Sequence, residues 1–334
     1  MAEYKGLMVH CEVKGEKLAV IATELLGCGR KLADDLGQEL SAVLLGNGIS
    51  SLAQEAIAFG ADKAYVVDDL LLEDYQTDSY VSVMEKVVKQ VTPQVLLLGQ
   101  TSTGRELAPR LAFRLGTAAA LDCVELAIDP GSKLLLQTKP VWGGNARGTY
   151  ICESYPQVAT VRAKAMSPLK RDDSRQGEVI AIAAGLAPSA IRTEVLEKMP
   201  EEVTGIKLED AEVIVSGGRG IGSAEGFKQL GELAKILNGA VGASTPPCDN
   251  GWISAGARIG LTGKVVSPDL YIAVALSGSS QHMSGCSGSK TIVAINKDPN
   301  ANIFKEADFG VVGDWKKVLP VFTEKVKEFL AGYD

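Results

Sequence analysis

The stretch Ala211-Glu212-Val213-Ile214-Val215-Ser216-Gly217-Gly218-Arg219-Gly220-Ile221-Gly222-Ser223 decides the fold. Ala211 to Val215 is a continuous apolar run with β-branched residues, which predicts a strand buried on both faces. Ser216 to Gly222 is a glycine-rich turn, and Ser223 is a good N-cap for a helix running to Leu237. Strand, glycine loop and helix start together present backbone N–H groups and a helix dipole to a phosphate. The loop reads G-G-R-G-x-G rather than G-x-G-x-x-G, and a tight turn between strand and helix needs glycine for steric reasons alone. The loop by itself therefore leaves a bound cofactor and a bare turn equally open. Arg219 shifts the balance, because an arginine inside a glycine loop packs against little and matches a phosphate bidentately.

Working outward, Tyr271 to Leu276, Thr291 to Ile295 and Phe309 to Val312 predict further strands, and Pro320 to Leu330 a closing helix. Polar loops follow these strands: Ser277-Gly278-Ser279-Ser280-Gln281-His282, then Asn296-Lys297-Asp298, then Gly313-Asp314. In a doubly wound sheet the ligand lies outside the carboxyl ends of the strands, where these loops fall. We therefore read His282 as a ligand contact rather than a capped surface histidine.

The first half alternates in the same way. Lys17 to Ala22 reads as a strand, Leu25 to Leu40 as a helix and Ser41 to Gly46 as a strand. Ser50 to Gly60 is a helix, Lys63 to Val67 a strand, Asp78 to Gln90 a helix and Val95 to Gly99 a strand. From Val124 to Ala163 the pattern changes to antiparallel hairpins with Gly/Pro/Asn turns, expected on the edge of the same sheet. Lys164 to Gly205 carries Pro168, Pro188, Pro200 and many charges, and reads as a linker. The boundary is expected near Met199-Pro200, giving domains 1–200 and 201–334, both doubly wound parallel-sheet α/β units.

Composition sets the limits. The chain has 334 residues, 46% hydrophobic and 22% charged, with a net charge of −7. An acidic balance argues against a general nucleic-acid binder and against a basic membrane-surface protein. Apolar stretches break before the ~20 residues a membrane helix needs. Met1 to Gly6 lacks a basic region leading into an apolar core, so no secretory signal and a cytoplasmic location are expected. Six scattered cysteines, at 11, 28, 123, 152, 248 and 286, read as reduced thiols. With only His10 and His282 and no CxxC, neither a zinc site nor an iron–sulfur cluster is expected. Cys286 is read as structural, Arg105 as a helix-start arginine, and Asp34/Asp35 and Asp68/Asp69 as solvated faces. No catalytic side chain is assigned.

The run Leu270-Tyr271-Ile272-Ala273-Val274-Ala275-Leu276-Ser277-Gly278-Ser279-Ser280-Gln281-His282, continuing through Gly285 to Asn296-Lys297-Asp298-Pro299, resembles the FAD-binding signature of the electron-transfer flavoprotein alpha subunit. Val215 to Gly220, Val241-Gly242-Ala243-Ser244, Gly260-Leu261-Thr262-Gly263-Lys264 and Ala307 to Asp314 match its other motifs in order. The N-terminal half resembles the family more loosely, with Gly99-Gln100-Thr101-Ser102-Thr103-Gly104-Arg105-Glu106 its best landmark.

The resemblance implies an electron carrier paired with a beta subunit, moving electrons between flavin dehydrogenases, typically acyl-CoA dehydrogenases, and a downstream acceptor. It implies a C-terminal FAD-binding Rossmann-like domain of the DHS-like NAD/FAD-binding kind and an N-terminal domain like the adenine-nucleotide alpha hydrolases. Some relatives carry a second FAD in the beta subunit and bifurcate electrons from NADH. By position, Arg219, Ser244, Ile259, Gly260, Leu261, Thr262, Ser277, Gly278, Ser279, Ser280, Gln281, His282, Asn296, Asp314 and Trp315 are expected to contact FAD. Thr262 is expected near flavin N5, His282 near the pyrimidine carbonyl at C2, and Asn296 and Asp314 toward the adenosine end.

The chain departs from the family pattern at several positions. Thr245 stands where an arginine is usual, Leu261 where glutamine is, Ala275-Leu276 where Gly-Ile or Gly-Val is, and Ser280 where an aliphatic residue is. Losing a cation beside the flavin implies a lower potential unless Arg258 replaces it. A nicotinamide-dependent enzyme is the rival reading. It expects an acid about twenty residues past the glycine loop, where the chain reads Asn238 to Ala243. A scaffold with a decayed flavin site is disfavoured by the retained His282, Thr262, Asn296 and Asp314.

Overall fold

The computed structural model describes residues 3–332 except 145, 188, 190, 194 and 198–204. The chain divides into two compact units, one of Met1–Val141 with Ala146–Met199, the other of Trp142–Asn145 with Pro200–Asp334. The boundary expected at Met199-Pro200 lies outside the described residues, as do Pro188 and the turn residue Asn145.

The first unit opens with β1 (Leu7–His10), a short ribbon of β2 (Val13–Lys14) and β3 (Lys17–Leu18), α1 (Val20–Leu36), β4 (Leu40–Gly46) and α2 (Leu52–Ala58). Then come β5 (Lys63–Asp68), α3 (Thr77–Val91), β6 (Val95–Gly99) and α4 (Ser102–Leu115). Five strands follow before the end of the unit: β7 (Ala119–Cys123), β8 (Glu125–Ile128), β9 (Leu135–Val141), β10 (Ala146–Tyr150) and β11 (Gln157–Val161). A last one, β12 (Glu178–Ala181), completes a parallel sheet of order β12-β5-β4-β1-β6-β11-β7. Alternation along β1 sends Leu7 and Val9 into one core and Met8 into the core on the opposite face.

Five expectations need correction here. The strand expected over Lys17–Ala22 is only Lys17–Leu18, because Ile21, Ala22, Leu25, Leu26, Leu32 and Ala33 form one buried stripe along a helix that begins at Val20. That helix stops short of Leu40, since Gly37 takes a left-handed φ of 64° as its cap. The hairpins are not on the edge of the main sheet: β8, β9 and β10 form their own antiparallel sheet, while β7 and β11 join the main one in parallel. The stretch expected to be a linker supplies β12, paired in parallel with β5. Asp68 is also more than a solvated face, accepting from Gly48, Ile49 and Ser50 backbone N–H groups and from the Ser50 hydroxyl.

The second unit runs β13 (Val213–Gly217), α5 (Ala224–Ile236), β14 (Ala240–Ala243), α6 (Thr245–Asp249) and β15 (Leu270–Val274). It continues with α7 (Ser280–Met283), β16 (Thr291–Asn296), α8 (Ile303–Glu306), β17 (Phe309–Val312) and α9 (Trp315–Ala331). All strands are parallel, in the order β14-β13-β15-β16-β17. Ser223 caps α5 as expected, its hydroxyl accepting from Gly226 N–H at 3.3 Å. β14 carries no strand signal in the sequence, being only four residues of Ala, Val and Gly following Gly239. The closing helix begins at Trp315 rather than Pro320; Pro320 is its sixth residue, past the first turn, where it leaves out one backbone hydrogen bond of the helix.

Candidate functional site

In the second unit the winding reverses between β13 and β15. The chain crosses from β13 outward to β14, then returns past β13 to β15 on its other side. A doubly wound sheet of this order opens a crevice at the carboxyl ends of those two strands. Two loops shape it, and they approach as closely as backbones can. A Cβ on Gly218 would lie 2.2 Å from the Ala275 carbonyl oxygen, and one on Gly220 2.9 Å from the Ala275 Cβ. Glycine is therefore required in this loop for packing, whatever it binds. On the other side Gly278, at φ 75°, lets the polar loop turn against α8, where a Cβ would lie 2.3 Å from Ile303 N. Ala275 pays for the same geometry without glycine's freedom, sitting at φ 52° in the left-handed region.

Three adjoining cavities run along this edge. The largest, about 640 Å³, lies between the two loops, with Arg219, Ser244, Ser277, Gly278, Ser279, His282 and Asn296 on its walls. It shares Ser244, Pro246, Ser279 and His282 with a second of about 290 Å³, which adds Thr245, Leu261, Thr262 and Gln281. A third, about 210 Å³, extends the first past Gly220, Ala275 and Asn296 to Asp314 and Trp315. The largest alone is within the size range of cofactor sites, roughly 300–1,000 Å³. Twelve of the fifteen sequence-derived residues thus meet on one edge; Ile259, Gly260 and Ser280 are not among the lining residues.

Several of these side chains are already committed to the protein. Asn296 donates through Nδ2 to the Leu276 carbonyl at 2.7 Å and accepts from Asp298 N–H at 3.0 Å, tying β16 to the loop after β15. Asp314 caps α9 by accepting from Lys316 N–H, and Trp315 Nε1 donates to the Gly220 carbonyl at 3.1 Å. Arg219 is the opposite case: exposed, at a cavity wall, and without an ion pair among the described residues.

His282 is buried, and both ring nitrogens have partners: Nδ1 is 3.0 Å from the Ile259 carbonyl and Nε2 2.8 Å from the Tyr271 hydroxyl. A carbonyl only accepts, so Nδ1 carries the proton. Burial lowers the pKa of the ring to about 4, which keeps it neutral, and Nε2 then accepts from Tyr271. His282, expected near the pyrimidine carbonyl at C2, therefore has both ring nitrogens engaged within the protein. Burial pushes the Cys286 thiol up to about 12, so it stays protonated beside the His282 carbonyl. Arg258, the cation that could stand in at Thr245, is engaged elsewhere. Its guanidinium pairs with Asp249 at 2.7 Å, and it lines none of the three cavities.

Two family models match the chain, the electron transfer flavoprotein domain over residues 7–187 and the electron transfer flavoprotein FAD-binding domain over residues 207–287. The electron transfer flavoprotein subunit alpha of Thermoanaerobacterium thermosaccharolyticum is 47% identical over 329 residues, covering 98% of this chain and 99% of its own. That of Megasphaera elsdenii is 45% identical over 331 residues, covering 98% of each. Protein FixB of Clostridium saccharobutylicum is 40% identical over 332 residues, covering 99% of each. The chain belongs to the electron transfer flavoprotein alpha-subunit family.

Its cofactor is accordingly FAD. The residues present fit that group. An arginine with no counter-ion among the described residues stands beside a run of serine hydroxyls in a crevice of about 640 Å³, which is the donor set a pyrophosphate asks for. The acid that a nicotinamide site would place after the second strand is missing, since β14 ends at Ala243 and leads into Ser244. Sequence reasoning did not find Tyr271, Pro246 or Asn302 as parts of the site. Tyr271 reads as an ordinary strand residue, and its link to His282 exists only in three dimensions.

Proposed function

We propose that this chain holds FAD along the carboxyl edge of the second unit's sheet and, paired with an electron-transfer flavoprotein beta subunit, carries electrons in the cytoplasm. Acyl-CoA dehydrogenases or similar flavin dehydrogenases are the donors. The observation that carries the reading is the unpaired Arg219 at the switch-point crevice, on the same edge as Thr262, His282 and Asn296. FAD supplies the redox chemistry, taking and giving electrons one or two at a time.

The chain's own residues bind and orient. Arg219 and the serine hydroxyls at 277 and 279 hold the pyrophosphate, and Asn296 and Asp314 flank the adenosine end. Thr262 and the α7 segment flank the isoalloxazine. With Thr245 at the wall of the second cavity and Arg258 tied to Asp249, the flavin has a lower potential than in relatives that carry an arginine there. Electron bifurcation follows only if the beta subunit brings a second FAD.

A stepwise anaerobic dithionite titration of the complex co-purified with its beta subunit tests this by absorbance. One flavin per heterodimer supports a simple carrier, and two support a bifurcating one. A complex with no flavin overturns the reading.

A further inference from the structure

Thr262 stands at the tip of a loop, residues 259–264, that closes one side of the second cavity. Its strand-like pairing amounts to two isolated parallel bridges at its base, Ala243 with Arg258 and Ile259 with Lys264. Backbone bonds tie it at its base and flank: Ile259 N–H to the Ala243 carbonyl at 2.8 Å, Gly260 N–H to Lys264 at 3.1 Å and Leu261 N–H to Gln281 at 2.7 Å. Two close approaches press it onto α7 and the residues after it. Gly260, at φ 139°, has room for no Cβ against the Gln281 carbonyl, and a Cβ on Gly285 would lie 2.3 Å from Gly260 N.

The one side-chain bond in this set is His282 Nδ1–H to the Ile259 carbonyl, at the loop's first residue. The ring can donate there only while its other nitrogen is an acceptor. Tyr271, fully buried on β15 and 2.8 Å from Nε2, supplies the O–H that stabilises that form. Tyr271 lines none of the three cavities, and its hydroxyl, which Ser216 and Cys286 also flank, meets the site through His282.

We infer that Tyr271 is a positioning residue: its hydroxyl sets the His282 tautomer, and His282 in turn fixes the loop that presents Thr262 to the cavity. This rests on the proposed FAD site for what the loop positions, but not for the hydrogen-bond relay itself.

The chain has only two histidines, so ring ¹⁵N spectra are tractable when this subunit alone is labelled and assembled with its beta subunit. The expected wild-type result is His282 with the proton on Nδ1 and a hydrogen-bonded acceptor at Nε2. In Tyr271→Phe the Nε2 signal moves to the position of an acceptor without a donor, while His10 is unchanged. FAD then binds about fivefold more weakly, the loss of one neutral hydrogen bond's worth of preorganisation.

A double-mutant cycle separates positioning from general destabilisation. Tyr271→Phe weakens FAD binding in the wild-type background but adds little to Thr262→Ala, because both act at one loop. Additive effects overturn the inference, as does a wild-type His282 protonated on Nε2. That second result needs no variant, so failure of Tyr271→Phe to fold leaves the test intact. A complex without FAD whose wild-type tautomer is the expected one refutes the cofactor site and leaves the relay standing.

Discussion

Replacing Arg219 with glutamine isolates the proposed phosphate contact, because the side chain has no hydrogen bond or ion pair to lose among the described residues. It is exposed, lies in a short turn over Arg219–Ile221, and makes no ion pair among the described residues. Thermal stability of the flavin-free protein should therefore change by no more than about 0.5 kcal/mol. The binding effect is larger. Hydrogen bonds from a guanidinium to phosphate contribute about 1.5–3 kcal/mol. Exposure to solvent keeps the total near that range rather than above it. At about 1.4 kcal/mol per decade, FAD should bind roughly 10- to 150-fold more weakly.

Salt provides an internal check. The Debye length falls from about 10 Å at 0.1 M to about 3 Å at 1 M, so the gap between wild type and variant should narrow at high ionic strength. The assay is calorimetric titration of flavin-stripped heterodimer with FAD, and with riboflavin, which lacks both phosphates and should not distinguish the two proteins. Equal FAD affinity for Arg219→Gln and wild type at low salt would refute the assignment of this loop to the pyrophosphate.

Three further outcomes follow from the geometry. Ala275→Gly releases a left-handed alanine, worth about 1–2 kcal/mol, against a glycine entropy cost of about 0.5–1 kcal/mol, so urea unfolding should show the variant slightly more stable. A loss of more than about 1 kcal/mol contradicts that. His10 is buried with Nδ1 unpartnered and its pKa lowered to about 4, so the unfolded chain binds a proton first as pH falls. Stability present above about pH 6.5 is then lost on acidification toward pH 4, on the order of 3 kcal/mol, and His10→Leu should flatten this slope relative to wild type. Glu12, whose carboxyl burial pushes upward, contributes in the opposite sense to both proteins, so the difference between their pH profiles is the reading. Thr245→Arg places a cation on the wall of the second cavity and should raise the flavin potential measured by spectroelectrochemistry; an unchanged potential removes the account of the missing arginine.

The second unit was legible because its strands are continuous apolar runs that end in glycine or serine loops. The first unit was harder to read. Leu7–His10 is the strand at the sheet's centre, yet four residues beside Gly6 give no periodicity to detect. Val20-Ile21-Ala22 has strand composition and becomes helix, because Leu25, Leu26 and Leu32 continue the same buried stripe, so tertiary burial overrides local propensity. Glu178–Ala181 contributes ladder hydrogen bonds while remaining mostly exposed, so hydrophobic patterning carried no trace of it.

At the site, residue types and strand-end position located the crevice, and Arg219 and Asn296 with it. What each side chain does there was not legible, because it depends on long-range partners. His282 is spoken for by Tyr271 and Ile259, and Arg258 by Asp249. The conformation of Ala275 showed in sequence only as a departure from a family glycine.

Hydrogen–deuterium exchange of the flavin-stripped heterodimer, with and without FAD, tests the central claim most directly. The account predicts added protection in this chain at the loops after β13, β14 and β15, around residues 218–222, 244–248 and 276–283, at the 259–264 loop, and at the strand ends that carry Asn296 and Asp314. Protection that falls in the first unit instead, or no protection at those loops while FAD is bound, would contradict it.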